Sequence, residues 1–288
     1  MKISVYGSNQ EMEKLSNPTV FTPTSENKNF FPDFQEAKIG ISIIIPAYNE
    51  RERIKPVLKE VCNYISLNSL PWNVIVSLDG NDGTEGIITE MIKEFPFLSY
   101  NKGEKRSGKG EAIKRGVNTA SGKFIVLLDA DGAISFESVI DKLKWIKEYD
   151  FINFDRYRMK ENKIPNLRRL VSRGYNLYVK LLLGLKINDT QSGYKIINTD
   201  LAKKLFGKIT ITNGFFYAPM FYYLKKFKKT VLEVSVPYIH AQGSKFKVSS
   251  MVFGGFLTTL FFRLINSPLR KIIPTAFINM YYRIFRWN

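Results

Sequence analysis

Residues 123–132 read KFIVLLDADG, a short apolar run that ends in two aspartates separated by one alanine. Such a run predicts a strand buried on both faces, as the strands of parallel sheets are. Ligands of open α/β sheets bind beyond the carboxyl ends of the strands, which is where Asp129 and Asp131 would lie. Paired carboxylates at one point suit Mg²⁺ or Mn²⁺ held jointly with substrate phosphates. The alternative is that both aspartates only cap the strand and form a turn.

The same pattern occurs twice before this stretch, in ISIIIP at 41–46 and in WNVIVSLD at 72–79, which ends in Asp79. Further strands are predicted at 151–154, 193–198 and 230–236, the last two as antiparallel additions. Helices are predicted at 49–68, 84–95, 108–119, 135–148, 165–183 and 215–226. Strands that alternate with helices predict βαβ units, and hence an α/β fold with a mainly parallel sheet flanked by helices.

The composition is that of an ordinary globular protein: of 288 residues, 44% are hydrophobic and 24% are charged. This balance excludes wholesale disorder, collagen and coiled coil. The single cysteine, Cys62, excludes an intrachain disulfide and a cysteine-based zinc site. The single histidine, His240, excludes His-rich metal sites and any catalytic triad that needs a second histidine.

The net charge of +17, from 43 Lys and Arg against 26 Asp and Glu, predicts an anionic partner. That partner could be nucleic acid, an anionic lipid or a phosphorylated substrate. The excess is concentrated in residues 201–288, which contain 14 Lys and Arg and a single acid, Glu233. This segment is also aromatic and apolar, unlike the disordered basic tails that bind nucleic acid. We therefore expect a lipid or phosphate partner and no nucleic acid.

The chain is predicted to have three parts: an N-terminal extension at 1–39, an α/β domain at 40–248, and a C-terminal segment at 249–288. The last part contains two basic, aromatic, amphipathic helices. Its uncharged apolar runs, at 249–262 and 272–282, are shorter than the ~18–20 residues that cross a bilayer. Cations among aromatic residues favour peripheral contact with an anionic membrane surface. The alternative is that these helices pack over the sheet.

A second candidate site is SGKG at 107–110, where a helix is predicted to begin. Free backbone N–H groups at a helix start, together with the Lys109 cation, favour anion binding. The phosphate-binding pattern G-x-x-x-x-G-K-[ST] is absent. Alone, this stretch is better explained as a solvated helix start.

Together, these stretches resemble the GT-A glycosyltransferases of family 2, and among them the dolichyl-phosphate glucosyl- and mannosyltransferases. The resemblance extends from residue 41 to about residue 250. It rests on IIIPAYNE (43–50), SLDGNDGT (77–84), RSGKGEAIKRG (106–116), LLDADG (127–132), RRLVSRGYNLYVKLLLGL (168–185), NDTQSGYKI (188–196) and QGSKF (242–246).

The resemblance implies a GT-A fold with sites for a nucleotide sugar, a metal ion and a lipid phosphate. The nucleotide sugar would contact Pro46, Ala47, Tyr48, Glu50, Asp79, Lys109, Asp129 and Ser244. Mg²⁺ or Mn²⁺ would be bound by Asp129 and Asp131. The catalytic group would comprise Asp131, Asp189, Gln191 and Lys245. The lipid phosphate would face Arg168, Arg169 and Arg173 of the long helix.

The implied reaction is an inverting transfer of a hexose from a nucleotide sugar, with UDP-glucose favoured, to polyprenyl or dolichyl phosphate. The enzyme would be peripheral, at the cytoplasmic face of a membrane, and would supply lipid-linked sugar for glycosylation. Two positions depart from the family pattern. Leu78 replaces the first of two aspartates, and Ala133 stands where some mannosyl members have a metal-binding glutamine.

Three alternatives remain open at this point. The chain could be a dolichyl-phosphate mannose synthase that uses GDP-mannose. It could be a family 2 enzyme that acts on a sugar hydroxyl, with Asp189 as the general base. It could also be a basic binding module without catalysis, but that hypothesis leaves the strand-end carboxylates unexplained.

Overall fold

The computed structural model describes residues 3–6, 40–159, 161–162, 164–239 and 254–285, with the backbone alone at 3–6 and 281–285. Within the predicted extension 1–39, the described residues before Gly40 form one strand, β1 (Ile3–Tyr6). Ser244, Lys245 and the rest of 240–253 lie outside the described residues.

An eight-stranded sheet forms the centre of the fold, in the spatial order β1-β8-β6-β7-β5-β2-β3-β4. The strands after β1 are β2 (Ile41–Tyr48), β3 (Asn73–Asp79), β4 (Leu98–Lys102), β5 (Phe124–Leu127), β6 (Phe151–Asp155), β7 (Lys195–Asn198) and β8 (Val231–Ser235). Every neighbouring pair is parallel except the two that involve β7. The predicted mainly parallel α/β fold is confirmed.

Three details of the strand prediction differ from the structure. β7 is antiparallel as expected, but β8 runs parallel to both β6 and β1. β4 was not predicted because it is an edge strand: only Leu98 of its five residues is fully buried, and it has no continuous apolar run. β1 was not predicted either, since its four residues are too short a signal.

Helices cover both faces of the sheet, and β2 contributes to both cores: Ile43 and Ile45 point to one and Ile44 to the other. The first core is closed by α1 (Ile54–Leu67), α2 (Thr84–Glu94) and α4 (Phe136–Ile140). The second is closed by α3 (Lys109–Thr119), α5 (Asn166–Leu183), α6 (Thr199–Phe206), α7 (Tyr217–Lys226) and α8 (Phe256–Ile265). The helix predicted at 135–148 is shorter, because α4 tightens into a 3-10 helix over Asp141–Trp145.

The reversed direction of β7 matters for function. Because β7 is antiparallel, its first residue lies at the edge of the sheet where the parallel strands end. The preceding loop, 188–194, is therefore delivered to the edge where Asp79, Asp129 and Asp131 are found. The ligand site predicted at this edge therefore also includes the loop 188–194.

The C-terminal segment contains α8 and α9 (Thr275–Phe285), joined by a 3-10 helix over Pro268–Ile272. α8 packs on α5, where the Tyr175 and Thr259 hydroxyl oxygens are 3.0 Å apart. In the part of the chain that the structure describes, no helix is both long and apolar enough to cross a bilayer. Contact of this segment with a membrane surface remains a prediction.

Gly116 controls how closely α3 approaches the sheet. A Cβ at this position would lie 2.5 Å from Ile44 Cγ2 and 2.9 Å from Ser77 Oγ.

We predict that Gly116→Ala lowers the free energy of unfolding by ~1–3 kcal/mol, because the overpacked helix must shift. The control is Gly86→Ala in α2, where a Cβ meets nothing within 4 Å. It should raise the free energy of unfolding by roughly 0.5–1 kcal/mol, and equal urea midpoints for the two variants would contradict this account.

Candidate functional site

A cavity of about 320 Å³ opens at the carboxyl edge of the sheet. It lies between the ends of β2, β3 and β5 and the first residues of α3 and α5. Of the residues singled out in the sequence, its lining contains Pro46, Ala47, Tyr48, Glu50, Asp79, Lys109, Asp129, Asp131, Arg168 and Gln191. The strand-end signal thus led to residues that share one cavity.

Asp79 ends β3 and fixes the start of α3. Its carboxylate is only 4% exposed and accepts hydrogen bonds from the backbone N–H groups of Ser107, at 2.8 Å, and Gly108, at 3.1 Å. Arg115 of α3 donates to the same carboxylate from Nη2, at 2.7 Å. These contacts position the residues of the SGKG stretch. Asp79 therefore has a structural role in the site, whether or not it also contacts a ligand.

Asp129 is held between a cation and a glycine. Lys109 Nζ lies 2.5 Å from Asp129 Oδ1. Burial alone would lower the pKa of Lys109, but Asp129, together with Tyr217 and Asp131, raises it above its usual value. On the other side, a Cβ at Gly193 would lie 2.0 Å from Asp129 Oδ2. A side chain at position 193 would therefore displace the carboxylate.

Asp131 lacks such close compensation. The backbone N–H of Ala133 donates to it at 3.2 Å. Burial raises the pKa of Asp131 and the neighbouring Asp129 raises it further, while Lys109 and Arg53 offset only part of this shift. A cation between the two aspartates would relieve their repulsion.

The aspartate pair fits a divalent cation that is shared with a substrate. No group of three or more Asp, Glu, His or Cys side chains suited to a metal occurs among the described residues. Mg²⁺ commonly uses one or two carboxylates and takes its other ligands from substrate phosphates and water. Asp129 and Asp131 match that pattern, and they do not match a metal cage built from protein alone.

The cavity lining also combines an aromatic ring with charged side chains. The guanidinium of Arg106 lies 4.3 Å from the centre of the Tyr48 ring. Glu50 forms an ion pair with Arg53, with Nη2 and Oε2 2.6 Å apart. Both pairs hold side chains at the cavity wall.

A buried polar network lies beneath the cavity. It consists of Asn153, Lys195 and Glu233, which are buried polar residues of the strands β6, β7 and β8. Glu233 accepts hydrogen bonds from the backbone N–H groups of Asn188 and Asp189, at 2.9 and 3.0 Å. Lys195 donates to Asn153 Oδ1 at 2.6 Å, and burial lowers the pKa of Lys195 to about 7. The network fixes the loop that carries Gln191 into the cavity.

Asp189 does not line the cavity. It is fully buried, and the Arg156 guanidinium donates two hydrogen bonds to its carboxylate, from Nε at 2.7 Å and from Nη2 at 2.9 Å. Arg156 itself does line the cavity. Arg156 was not predicted as a site residue, although its position directly after β6 was a signal. The hypothesis of a sugar-hydroxyl acceptor loses support, since its proposed base is already paired.

The three arginines of α5 differ in their placement. Arg168 lines the cavity together with Ser172. Arg169 donates from Nη2 to the carbonyl oxygen of Asn162, at 2.7 Å. Arg173 is exposed and is not part of the lining. Arg168 is thus the one of the three that the structure brings to the site.

Solved structures share this fold. Glucosyl-3-phosphoglycerate synthase of M. tuberculosis matches with a TM-score of 0.57 at 17% identity, over 79% of this chain and 81% of that one. The same enzyme in complex with Mn²⁺, UDP-glucose and phosphoglyceric acid matches with a TM-score of 0.55 at 17% identity, over 79% and 80%. Mannosyl-3-phosphoglycerate synthase of Rubrobacter xylanophilus gives 0.54 at 14% identity, over 83% and 80%. At such identities the likeness is one of fold.

Sequence relatives are more specific. A dolichyl-phosphate beta-glucosyltransferase of Trichomonas vaginalis is 28% identical over 79% of this chain and 74% of its own length. Enzymes of the same name from Dictyostelium discoideum and Homo sapiens are 28% and 26% identical, over 80% and 71% of this chain and 78% and 69% of their own length. Residues 42–206, more than half of the chain, match the profile described as Glycosyl transferase family 2. The chain therefore belongs to glycosyl transferase family 2 and is a glycosyltransferase.

Proposed function

We propose that this glycosyltransferase moves a hexose, with inversion, from a nucleotide sugar to a polyprenyl phosphate such as dolichyl phosphate. The observation that carries the proposal is that one cavity combines a carboxylate pair fit for a divalent cation with Lys109, Arg156 and Arg168. Relatives named dolichyl-phosphate beta-glucosyltransferase support the acceptor and the sugar. The UDP-glucose complex of a protein with the same fold supports UDP-glucose as donor.

A phosphate acceptor needs no general base, which fits the pairing of the Asp189 carboxylate with Arg156. A phosphomonoester has a second pKa near ~6, so it is mostly dianionic at neutral pH and attacks without losing a proton to the enzyme. The difficulty is to bring two anions together. Arg168, and the Arg156 side chain that Asp189 orients, offer positive charge on the acceptor side of the cavity.

The donor side must stabilise the leaving nucleoside diphosphate. Asp129 and Asp131 would hold Mg²⁺ or Mn²⁺, which would supply positive charge to the diphosphate. Lys109, fixed by Asp129, would add a second cation. Ser244 and Lys245 are proposed to contact the same diphosphate and lie outside the described residues. Pro46, Ala47, Tyr48 and Glu50 would line the nucleotide part of the pocket.

The transfer is a single displacement at the anomeric carbon of the donor sugar. An oxygen of the lipid phosphate forms a bond to the anomeric carbon as the bond from that carbon to the diphosphate oxygen breaks. The diphosphate leaves with the electron pair, through a transition state of oxocarbenium character. One displacement converts an α-linked nucleotide sugar into a β-linked lipid phosphate sugar. Gln191, held in the cavity by the loop before β7, would contact the sugar.

Transfer to lipid can be tested directly. Purified protein should convert UDP-[¹⁴C]glucose and dolichyl phosphate, with Mg²⁺, into a radioactive product that extracts into organic solvent. GDP-mannose is the comparison donor and should give less product, because the relatives are glucosyltransferases. Label that appears only in water-soluble oligosaccharide would contradict the proposal.

Arg168 provides a test of the acceptor side. Removing a charge-assisted contact to phosphate should raise the KM for lipid phosphate by roughly 10- to 150-fold in Arg168→Ala, with little change in the KM for the nucleotide sugar. The matched comparison is Arg173→Ala, five residues along the same helix but outside the cavity. With a short-chain acceptor in detergent it should change the lipid KM far less. A larger effect at Arg173 than at Arg168 would refute this placement of the acceptor.

A further inference from the structure

Tyr217, the first residue of α7, lines the cavity, yet the transfer proposed for this cavity does not use it. Its side chain is only 1% exposed, and its hydroxyl has no hydrogen-bond partner among the described residues. A buried donor left unpaired is costly, and native proteins contain few of them. An unpaired hydroxyl on a residue of the cavity lining therefore indicates that a ligand supplies the partner.

The cations around Tyr217 cannot serve as that partner. Lys109 Nζ lies 5.6 Å from the centre of the Tyr217 ring, and Lys195 Nζ lies 4.6 Å from it on the side of the core. Ammonium groups only donate hydrogen bonds, so neither lysine offers an acceptor to the hydroxyl hydrogen. The Asp129 carboxylate is an acceptor, but it is paired with Lys109 and makes no hydrogen bond to Tyr217.

The hydroxyl keeps its proton and is therefore a donor. Burial raises the pKa of Tyr217 to about 12, although Lys109 and Arg156 act in the opposite direction. At neutral pH the phenol is neutral, and what it lacks is an acceptor oxygen. The ligand atom that completes the contact must therefore be an oxygen with an available lone pair.

The position of Tyr217 indicates which part of the substrate this oxygen belongs to. Its hydroxyl responds to the charges of Lys109 and Asp129 on the donor side and of Arg156 on the acceptor side. The group that passes between these two sides is the hexose. Gln191, also in the lining, has a buried Nε2 without a hydrogen-bond partner among the described residues. Two neutral donors in one cavity suit a ligand that carries several hydroxyl oxygens.

The backbone before α7 is fixed to the start of α3, which sets the distance between Tyr217 and Lys109. The carbonyl oxygen of Thr212 accepts a hydrogen bond from the backbone N–H of Gly110, at 2.8 Å. A Cβ at Gly108 would lie 2.6 Å from the same oxygen, so the approach requires glycine there. A donor held in this way is preorganised for its ligand.

We propose that Tyr217 recognises the donor sugar: its hydroxyl donates a hydrogen bond to one hydroxyl oxygen of the hexose, beside Gln191. The inference rests on the proposed function, because it takes a hexose nucleotide as donor. The phosphates of both substrates are complemented by the cations of the cavity, whereas a neutral phenol suits a neutral sugar. A sugar that lacks the contacted hydroxyl leaves a buried donor unpaired, so Tyr217 contributes to specificity.

The variant Tyr217→Phe tests this in the full-length protein, because it removes the hydroxyl and keeps the ring above Lys195. Titration calorimetry with Mn²⁺ and without lipid acceptor should show UDP-glucose binding about tenfold more weakly than to the wild type. UDP, which has no sugar beyond its ribose, should bind both proteins equally. The ligand-free variant should unfold at the same temperature as the wild type or higher, since an unpaired buried hydroxyl is lost.

Tyr175→Phe is the matched control. Tyr175 is as deeply buried as Tyr217 but lies in the second core outside the cavity, and its hydroxyl oxygen is 3.0 Å from that of Thr259. Removing this paired hydroxyl should lower the unfolding temperature and leave the affinity for UDP-glucose unchanged. The two variants thus have opposite expected patterns of stability and binding.

Singly deoxygenated analogues of UDP-glucose identify the contacted hydroxyl. The wild type should bind one of these analogues about tenfold more weakly than UDP-glucose. Tyr217→Phe should bind that same analogue as well as it binds UDP-glucose, because the hydrogen bond is already absent. Penalties that are equal in both proteins for every analogue would refute the contact.

Three further results would overturn the inference. Unchanged affinity of Tyr217→Phe for UDP-glucose would remove the hydroxyl from the donor, and equal losses for UDP and UDP-glucose would assign it to the diphosphate. A lower unfolding temperature of the ligand-free variant would show that the hydroxyl is paired without ligand.

The lipid-transfer assay separates this inference from the proposed function. If the wild type transfers no hexose to lipid phosphate while Tyr217→Phe selectively weakens UDP-glucose binding, the proposed acceptor alone is refuted. Transfer by the wild type with unchanged donor binding in Tyr217→Phe refutes the inference alone. A wild type that does not bind UDP-glucose refutes the proposed donor, and the same comparison with GDP and GDP-mannose then decides the role of Tyr217.

Discussion

Three carboxylates at one edge of a parallel sheet form the constraint on which the site depends. Asp79 and Asp129 are compensated by one helix, α3, whose Arg115 and Lys109 lie 2.7 and 2.5 Å from them. The close approach of α3 to the sheet through Gly116 makes both pairs possible. Asp131 is the negative charge that remains, so a cation is the natural complement of this edge.

A second charge balance operates on the acceptor side. Asp189 is buried and paired with Arg156, and the loop that carries it is held by Glu233. The pair orients a guanidinium at the cavity and occupies the Asp189 carboxylate, so Asp189 is not available as a base. An acceptor that is already an anion suits such a site, whereas a sugar hydroxyl needs proton removal. Arrangement of charge, more than any single residue, therefore favours a phosphate acceptor.

Local signals predicted much of this arrangement. Strands β2, β3 and β5 are apolar runs in the sequence. Asp79 ends β3, and Asp129 and Asp131 follow closely after β5, so their positions could be predicted. The pairing of Arg156 with Asp189 could not be predicted in the same way, because it joins residues 33 positions apart through the antiparallel β7. The edge strand β4 lacks an apolar run, and the 3-10 continuation of α4 depends on packing. The sequence shows the leucines of α5, but which side of that helix is buried depends on its packing in the second core and against α8.

We predict that Asp131 binds a cation which the nucleotide diphosphate shares. Titration calorimetry of UDP into the protein tests it without a lipid acceptor. We predict that UDP binds the wild type about tenfold or more tightly with Mn²⁺ than with EDTA, and that Asp131→Asn, unlike the surface variant Asp200→Asn, loses this difference. Equal UDP affinity in Mn²⁺ and in EDTA for the wild type would contradict the account.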